Sequence, residues 1–119
     1  MGFKKYKWHK VAESAADIKW TAGDVGEVEL DGKMICIGKF NEELYGFAHV
    51  CPHAGAPMIN AYIDGGCHVI CPVHHLKFNL KNGRDVKGGG YQIKTYPVEL
   101  RADGVYIGMP DGAGLFKWL

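Results

Sequence analysis

No stretch of the 119-residue chain is apolar for long enough to span a bilayer, which takes about 20 residues. Charge of one sign is missing as well. The chain has 14 Lys and Arg against 13 Asp and Glu, a formal net charge of +1 with histidine neutral. That balance gives no field to draw the chain to nucleic acid or an anionic membrane surface, and no basic run interleaves with aromatics. The opening residues, Met1-Gly2-Phe3-Lys4-Lys5-Tyr6-Lys7, carry charge with no apolar run behind them, so a secretory leader is not expected. Tyr6, where Ser or Thr would be needed, argues against N-myristoylation at Gly2. A cytoplasmic protein is the expectation. Also absent are a Ser-His-Asp set, a phosphate-binding loop and paired carboxylates, the usual equipment of an independent enzyme. There is no internal repeat and no low-complexity linker, and the length suits one domain.

Glycine is plentiful, with 17 residues, and implies many turns between short strands. Tyr6 and Trp8 alternate ahead of Val11 and suggest an opening strand. Asp31-Gly32 lies between Glu27–Leu30 and Lys33–Gly38, and Asp103-Gly104 between Tyr96–Leu100 and Val105–Ile107. A two-residue Asp-Gly between apolar runs predicts a hairpin, because both central residues need positive φ. Leu44–Ala48, Cys67–Ile70 and Phe78–Leu80 read as further short strands, the last before a turn at Asn82-Gly83. Ser14–Lys19 could form one or two helical turns capped by Ser14. The sum is an all-β domain, a sandwich or barrel of antiparallel strands. Residues 49–78 break the pattern and read as two loops inserted into the framework.

Those loops hold the chemistry. They run Cys51-Pro52-His53-Ala54-Gly55-Ala56-Pro57 and Cys71-Pro72-Val73-His74, a C-x-H and a C-x-x-H with seventeen residues between His53 and Cys71. Each supplies one thiolate and one imidazole, ligands for a soft or borderline metal. The prolines leave each loop fewer backbone states to freeze. Of the four cysteines, Cys36 and Cys67 remain outside the pattern, and metal ligation fits a cytosolic chain better than disulfides.

This pattern closely resembles the Rieske family. The Gly-Ala-Pro after His53, Phe78 four residues after His74 and the later Tyr96-Pro97-Val98 are similar too. The resemblance covers residues 1–110 and leaves 111–119 as an apolar tail. It implies an antiparallel β sandwich with a small inserted cluster-binding subdomain. It also implies one 2Fe–2S cluster, with Cys51 and Cys71 on one iron and His53 and His74 on the other. Two ferric ions, two sulfides and two thiolates carry no net charge, so an added electron meets less repulsion than in a four-thiolate site. High-potential members have a disulfide between the loops and Ser and Tyr hydroxyls near the cluster. Here those positions are Ala56, Val73, Leu76 and Phe78, so a low potential is expected. Two departures stand out. His75 occupies a position that is usually Gly, and Gly88-Gly89-Gly90 replaces a loop that usually contains Pro.

The function implied is that of a ferredoxin taking electrons from a flavin reductase and passing them to a terminal oxygenase. One alternative is the small Rieske-like subunit of a nitrite reductase-type complex, which would copurify with its large partner. Another is a zinc-stabilised interaction module, since two Cys and two His also close a tetrahedral zinc site. The mixed Cys-His loops favour the cluster. An oxygenase catalytic subunit would need far more chain after residue 110. Among the remaining residues, Cys36 is expected to be a buried hydrophobe, and Cys67 is a weaker ligand candidate than Cys71. His49 and His68 are expected in strands, His9 exposed, and Trp8 and Trp20 in packing. His75 either perturbs its neighbour or faces water. Lys77, Lys81, Arg84 and Lys87 flank the site as solvated charge or a docking patch. The tail, Gly112–Leu119, would be a sticky patch if exposed, so packing against the domain or self-association is expected.

Overall fold

The computed structural model describes residues 6–110, whose regular structure is almost all β-strand. The strands are β1 (Tyr6–Ala12), β2 (Val25–Leu30), β3 (Lys33–Phe40), β4 (Glu43–Ala48), β5 (Tyr62–Ile63), β6 (His68–Ile70), β7 (Lys77–Asn79), β8 (Thr95–Tyr96), β9 (Val98–Arg101) and β10 (Gly104–Pro110). They form three antiparallel sheets in the orders β2-β3-β4-β8, β1-β10-β9 and β5-β6-β7. The first two make the sandwich. The third is the inserted subdomain, so the expected loops carry a small sheet of their own. The apolar tail and any association through it lie outside the described residues.

Asp31-Gly32 turns β2 into β3 with φ of 52° and 79°, the left-handed pair that a two-residue hairpin requires. A second turn of this kind, Asn41-Glu42 (φ 52° and 65°), joins β3 to β4 and was not read from the sequence. The last hairpin differs from expectation. Its loop residues are Ala102-Asp103, and Gly104 already pairs with Arg101. The run expected as one strand, Tyr96–Leu100, is split. Tyr96 pairs with Gly46 of β4, and Val98 pairs with Ile107 of β10. Pro97 has no N–H to extend either ladder, and the chain crosses between sheets there. Gly46 permits the crossing, since a Cβ would come within 2.9 Å of the Tyr96 carbonyl oxygen.

The β2-β3-β4 sheet is shared by two cores, because alternate residues face opposite sides. Val28, Leu30, Ile35 and Ile37 meet Val105 and Ile107 inside the sandwich. Val25, Cys36 and Phe47 face the other way and pack with Val69, Phe78 and both motif cysteines. Each fully buried side chain contributes about 1.5–3 kcal/mol. Two-sided burial explains why Met34–Ile37 is continuously apolar. Cys36 is the buried hydrophobe expected, with burial, aided by Glu27, pushing its thiol up to about 12. Trp8 packs under the Arg101 guanidinium and Trp20 under Lys39, both packing roles.

Several smaller expectations are corrected. Within the Ser14–Lys19 run only Ala15–Asp17 is helical, a single 3-10 turn matched by another at Met58–Asn60, and the extended Ser14 makes no side-chain cap. His49 lies in the bend after β4 rather than in a strand, where its carbonyl accepts the Met58 N–H. His9 is half-buried in β1 rather than exposed. Cys67 precedes β6 in a left-handed conformation (φ 67°).

Candidate metal centre

The two motif loops are built alike. The Cys51 N–H donates to the Ala56 carbonyl and the Cys71 N–H to the Leu76 carbonyl, each at 2.9 Å. Each closure spans six residues, with Pro second and a left-handed residue fifth, Gly55 (φ 68°) and His75 (φ 57°). His75 therefore sits where the first loop uses glycine. Histidine tolerates this region better than most residues, at a cost of roughly 1 kcal/mol. We expect His75→Gly to leave stability unchanged or raise it by about 0.5–1 kcal/mol, and His75→Val to lower it by more than about 1 kcal/mol, read from urea midpoints.

The loops bring their cysteines together inside and their histidines together outside. Cys51 and Cys71 are both buried and share one core cluster. Backbone amides point at their sulfurs, Ala54 at Cys51 (3.5 Å) and Val73 and His74 at Cys71. Burial and the neighbouring Cys51 thiol raise the Cys71 thiol above its ordinary value, while those amides oppose the rise. His53 and His74 are exposed, with ring centroids 5.0 Å apart and planes at 63°. Their Nδ1 atoms face each other at 3.3 Å. Two facing imidazole nitrogens share either a proton or a metal. On one tetrahedral metal with bonds of about 2.0–2.1 Å, two nitrogens would lie about 3.3 Å apart. Among the described residues no three His, Cys, Asp or Glu side chains converge as a single ion would need. A thiol pair inside and an imidazole pair outside could serve two metal atoms, one for each pair.

The model of the Rieske [2Fe-2S] domain matches residues 7–97. The chain belongs to that family. A relative, the ferredoxin component of the naphthalene 1,2-dioxygenase system of Pseudomonas aeruginosa, is 33% identical over 86 residues, covering 71% of this chain and 82% of that protein. The Sphingomonas yanoikuyae B1 ferredoxin superposes with a TM-score of 0.69 at 25% identity, covering 87% of this chain and all (100%) of that one. A Mycobacterium tuberculosis chain assigned as the small subunit of an NADH-dependent nitrite reductase superposes with a TM-score of 0.73, covering 88% and 96%, and at 19% identity the likeness is one of fold. The cofactor of this Rieske domain is a 2Fe–2S cluster. Among the described residues no helix is long and apolar enough to cross a membrane.

Sequence reasoning missed Tyr91. The strap of residues 85–91 lays its ring against His53 with centroids 4.6 Å apart. Nothing in the spacing signalled it, because the loop departs from the family pattern.

At the far end of the inserted sheet, Asp64 orders the turn into β6. Its Oδ1 accepts the Gly66 and His68 N–H groups at 2.9 and 3.0 Å, and its carboxylate faces His68 Nδ1 at 3.1 Å and Lys77 Nζ at 3.4 Å. Lys77 is thereby paired with Asp64. Burial alone would raise the Asp64 pKa, but the Gly66 and His68 hydrogen bonds overcome it and lower the value to about 2. A depressed carboxylate stabilises the fold above its unfolded pKa of about 3.9, and the contribution is lost as pH falls toward 2. We expect Asp64→Asn to destabilise by about 1–2 kcal/mol at pH 7. The gap from the parent should close below pH 3, in denaturant melts across that range.

Proposed function

We propose that this protein is a cytoplasmic one-electron carrier whose cluster is held by Cys51 and Cys71 on one iron and by His53 and His74 on the other. One observation carries the reading: a buried thiol pair and an exposed imidazole pair with Nδ1 atoms 3.3 Å apart. When bound, the cluster supplies reversible one-electron chemistry. The protein's part is to keep the sulfurs dry, aim backbone amides at them and present two imidazole edges at the surface. Both loops are fully used in this way, which leaves no open position for a substrate and agrees with a carrier rather than a catalyst.

The donor we propose is a flavin reductase and the acceptor a terminal oxygenase, by likeness to the ferredoxin component of the naphthalene dioxygenase system. Lys81, Arg84 and Lys87 are exposed on the segment that leads into the strap over His53 and would steer an acidic partner. Reduction by such a partner should slow as ionic strength rises. Iron and acid-labile sulfide analysis, with electron paramagnetic resonance of the reduced protein, tests the reading. Two irons, two sulfides and nitrogen couplings from two imidazoles are expected. A colourless protein made with iron and sulfide available overturns it.

A further inference from the structure

The strap over His53 is a built feature. Asp85, buried and bridged to Phe78 of β7, accepts the Lys87 N–H on Oδ1 at 2.9 Å. Its other oxygen lies so close to Gly89 that a Cβ there would stand 2.6 Å away. The Asp85 N–H donates to the Tyr91 carbonyl at 3.2 Å, and the Gly88 N–H donates to the Asp85 carbonyl at 3.1 Å. Gly88 and Gly90 take φ of 73° and 90°, a left-handed pair that most side chains would strain. The segment thus wraps its own carboxylate and ends by delivering Tyr91. That ring meets His53 edge to face, at 69°, while remaining 41% exposed itself. An aromatic side chain of this size is normally drawn into a core. Here it is spent on one imidazole at the surface.

We propose that Tyr91 is a positioning residue for His53: its ring fixes the rotation of the imidazole and keeps water from one face of it. His74 has the His53 ring beside it, whereas His53 has both His74 and Tyr91. Tyr91 therefore acts on one of the two imidazoles and makes them inequivalent. This rests on the reading that His53 is an iron ligand. Water admitted at His53 favours the state carrying the extra electron, because a charge is better solvated than a neutral site.

The test uses the cluster-loaded full chain and its Tyr91→Phe, Tyr91→Leu and Tyr91→Ala variants. Protein-film voltammetry and the nitrogen hyperfine couplings of the reduced state are the readouts. Tyr91→Phe should match the parent. Tyr91→Ala and Tyr91→Leu should change the coupling of one imidazole while leaving the other in place, and favour reduction by up to about tenfold, about 59 mV for one electron. Couplings and potential unchanged in either variant that retains its iron overturn the proposal. Loss of the cluster from both gives Tyr91 a merely structural role and overturns it too. A parent protein lacking nitrogen couplings would sink the ligand assignment itself, a separate failure.

Discussion

Cys71→Ser should yield a colourless protein, whereas Cys67→Ser should stay red-brown. The two cysteines are four residues apart, and spacing alone leaves either eligible. Their surroundings separate them. The Cys71 sulfur is buried beside Cys51 and faces the amides of Val73 and His74, donors that favour a thiolate. Cys67 sits before β6 in a left-handed conformation, with its carbonyl taken by the Leu80 N–H at 3.0 Å. Its thiol lies against the Tyr45 hydroxyl, whose pKa is pushed up to about 12 by burial first and by Cys67 and Glu43 next. Tyr45 belongs to β4, outside both motif loops. Serine is a poor ligand for iron, and loss of even an outer partner of a metal ligand lowers affinity about 10–100-fold. Losing a ligand outright should leave less than about a tenth of the parent's iron in both Cys51→Ser and Cys71→Ser. Cys67→Ser should keep its iron and change stability by no more than about 1–2 kcal/mol. Visible absorbance and iron per chain are the measurements. Iron retained in Cys71→Ser and lost from Cys67→Ser would reassign the ligand.

The parts of this molecule written in short-range chemistry were legible in the sequence. Asp31-Gly32 announced its hairpin because two consecutive left-handed residues favour those residue types. The two Cys-Pro loops announced a metal because each holds a sulfur and a nitrogen within four residues. Long-range choices were less legible. Tyr96–Leu100 reads as one strand, and only the absence of an N–H on Pro97 marks the step from one sheet to the other. Asn41-Glu42 lacks the glycine that flags its turn, yet takes the same conformation. His75 looked like a departure from the family. It occupies the left-handed fifth place that Gly55 holds in the first loop, so the departure changes the side chain and keeps the backbone. The contact of Tyr91 with His53 could not be read at all, since it depends on how the strap folds around Asp85.

A low reduction potential is the second large expectation, near the −150 mV end of the range of about −150 to +300 mV known for Rieske centres. Ala56 and Val73 cannot bridge the loops, and among the described residues the cysteines are all free. Leu76 is half-buried against the core and Phe78 fully buried within it, where high-potential members carry hydroxyls. A hydroxyl donating toward the cluster stabilises the more negative, reduced state more than the oxidised one. A hydrogen bond to a charged group is worth about 1.5–3 kcal/mol against about 0.5–1.5 for a neutral pair. The difference, about 1.25 kcal/mol between the midpoints, is about eightfold in the reduction equilibrium, or about 54 mV for one electron. Leu76→Ser should therefore raise the potential by about 50 mV at a modest cost in packing. Phe78→Tyr is the poorer test, because a new hydroxyl in a filled core destabilises the fold by about 1–3 kcal/mol before it can tune anything. Voltammetry of the parent and Leu76→Ser decides the matter. A parent value near +300 mV would show that this protein sets its potential by something other than hydroxyl donors and a loop disulfide.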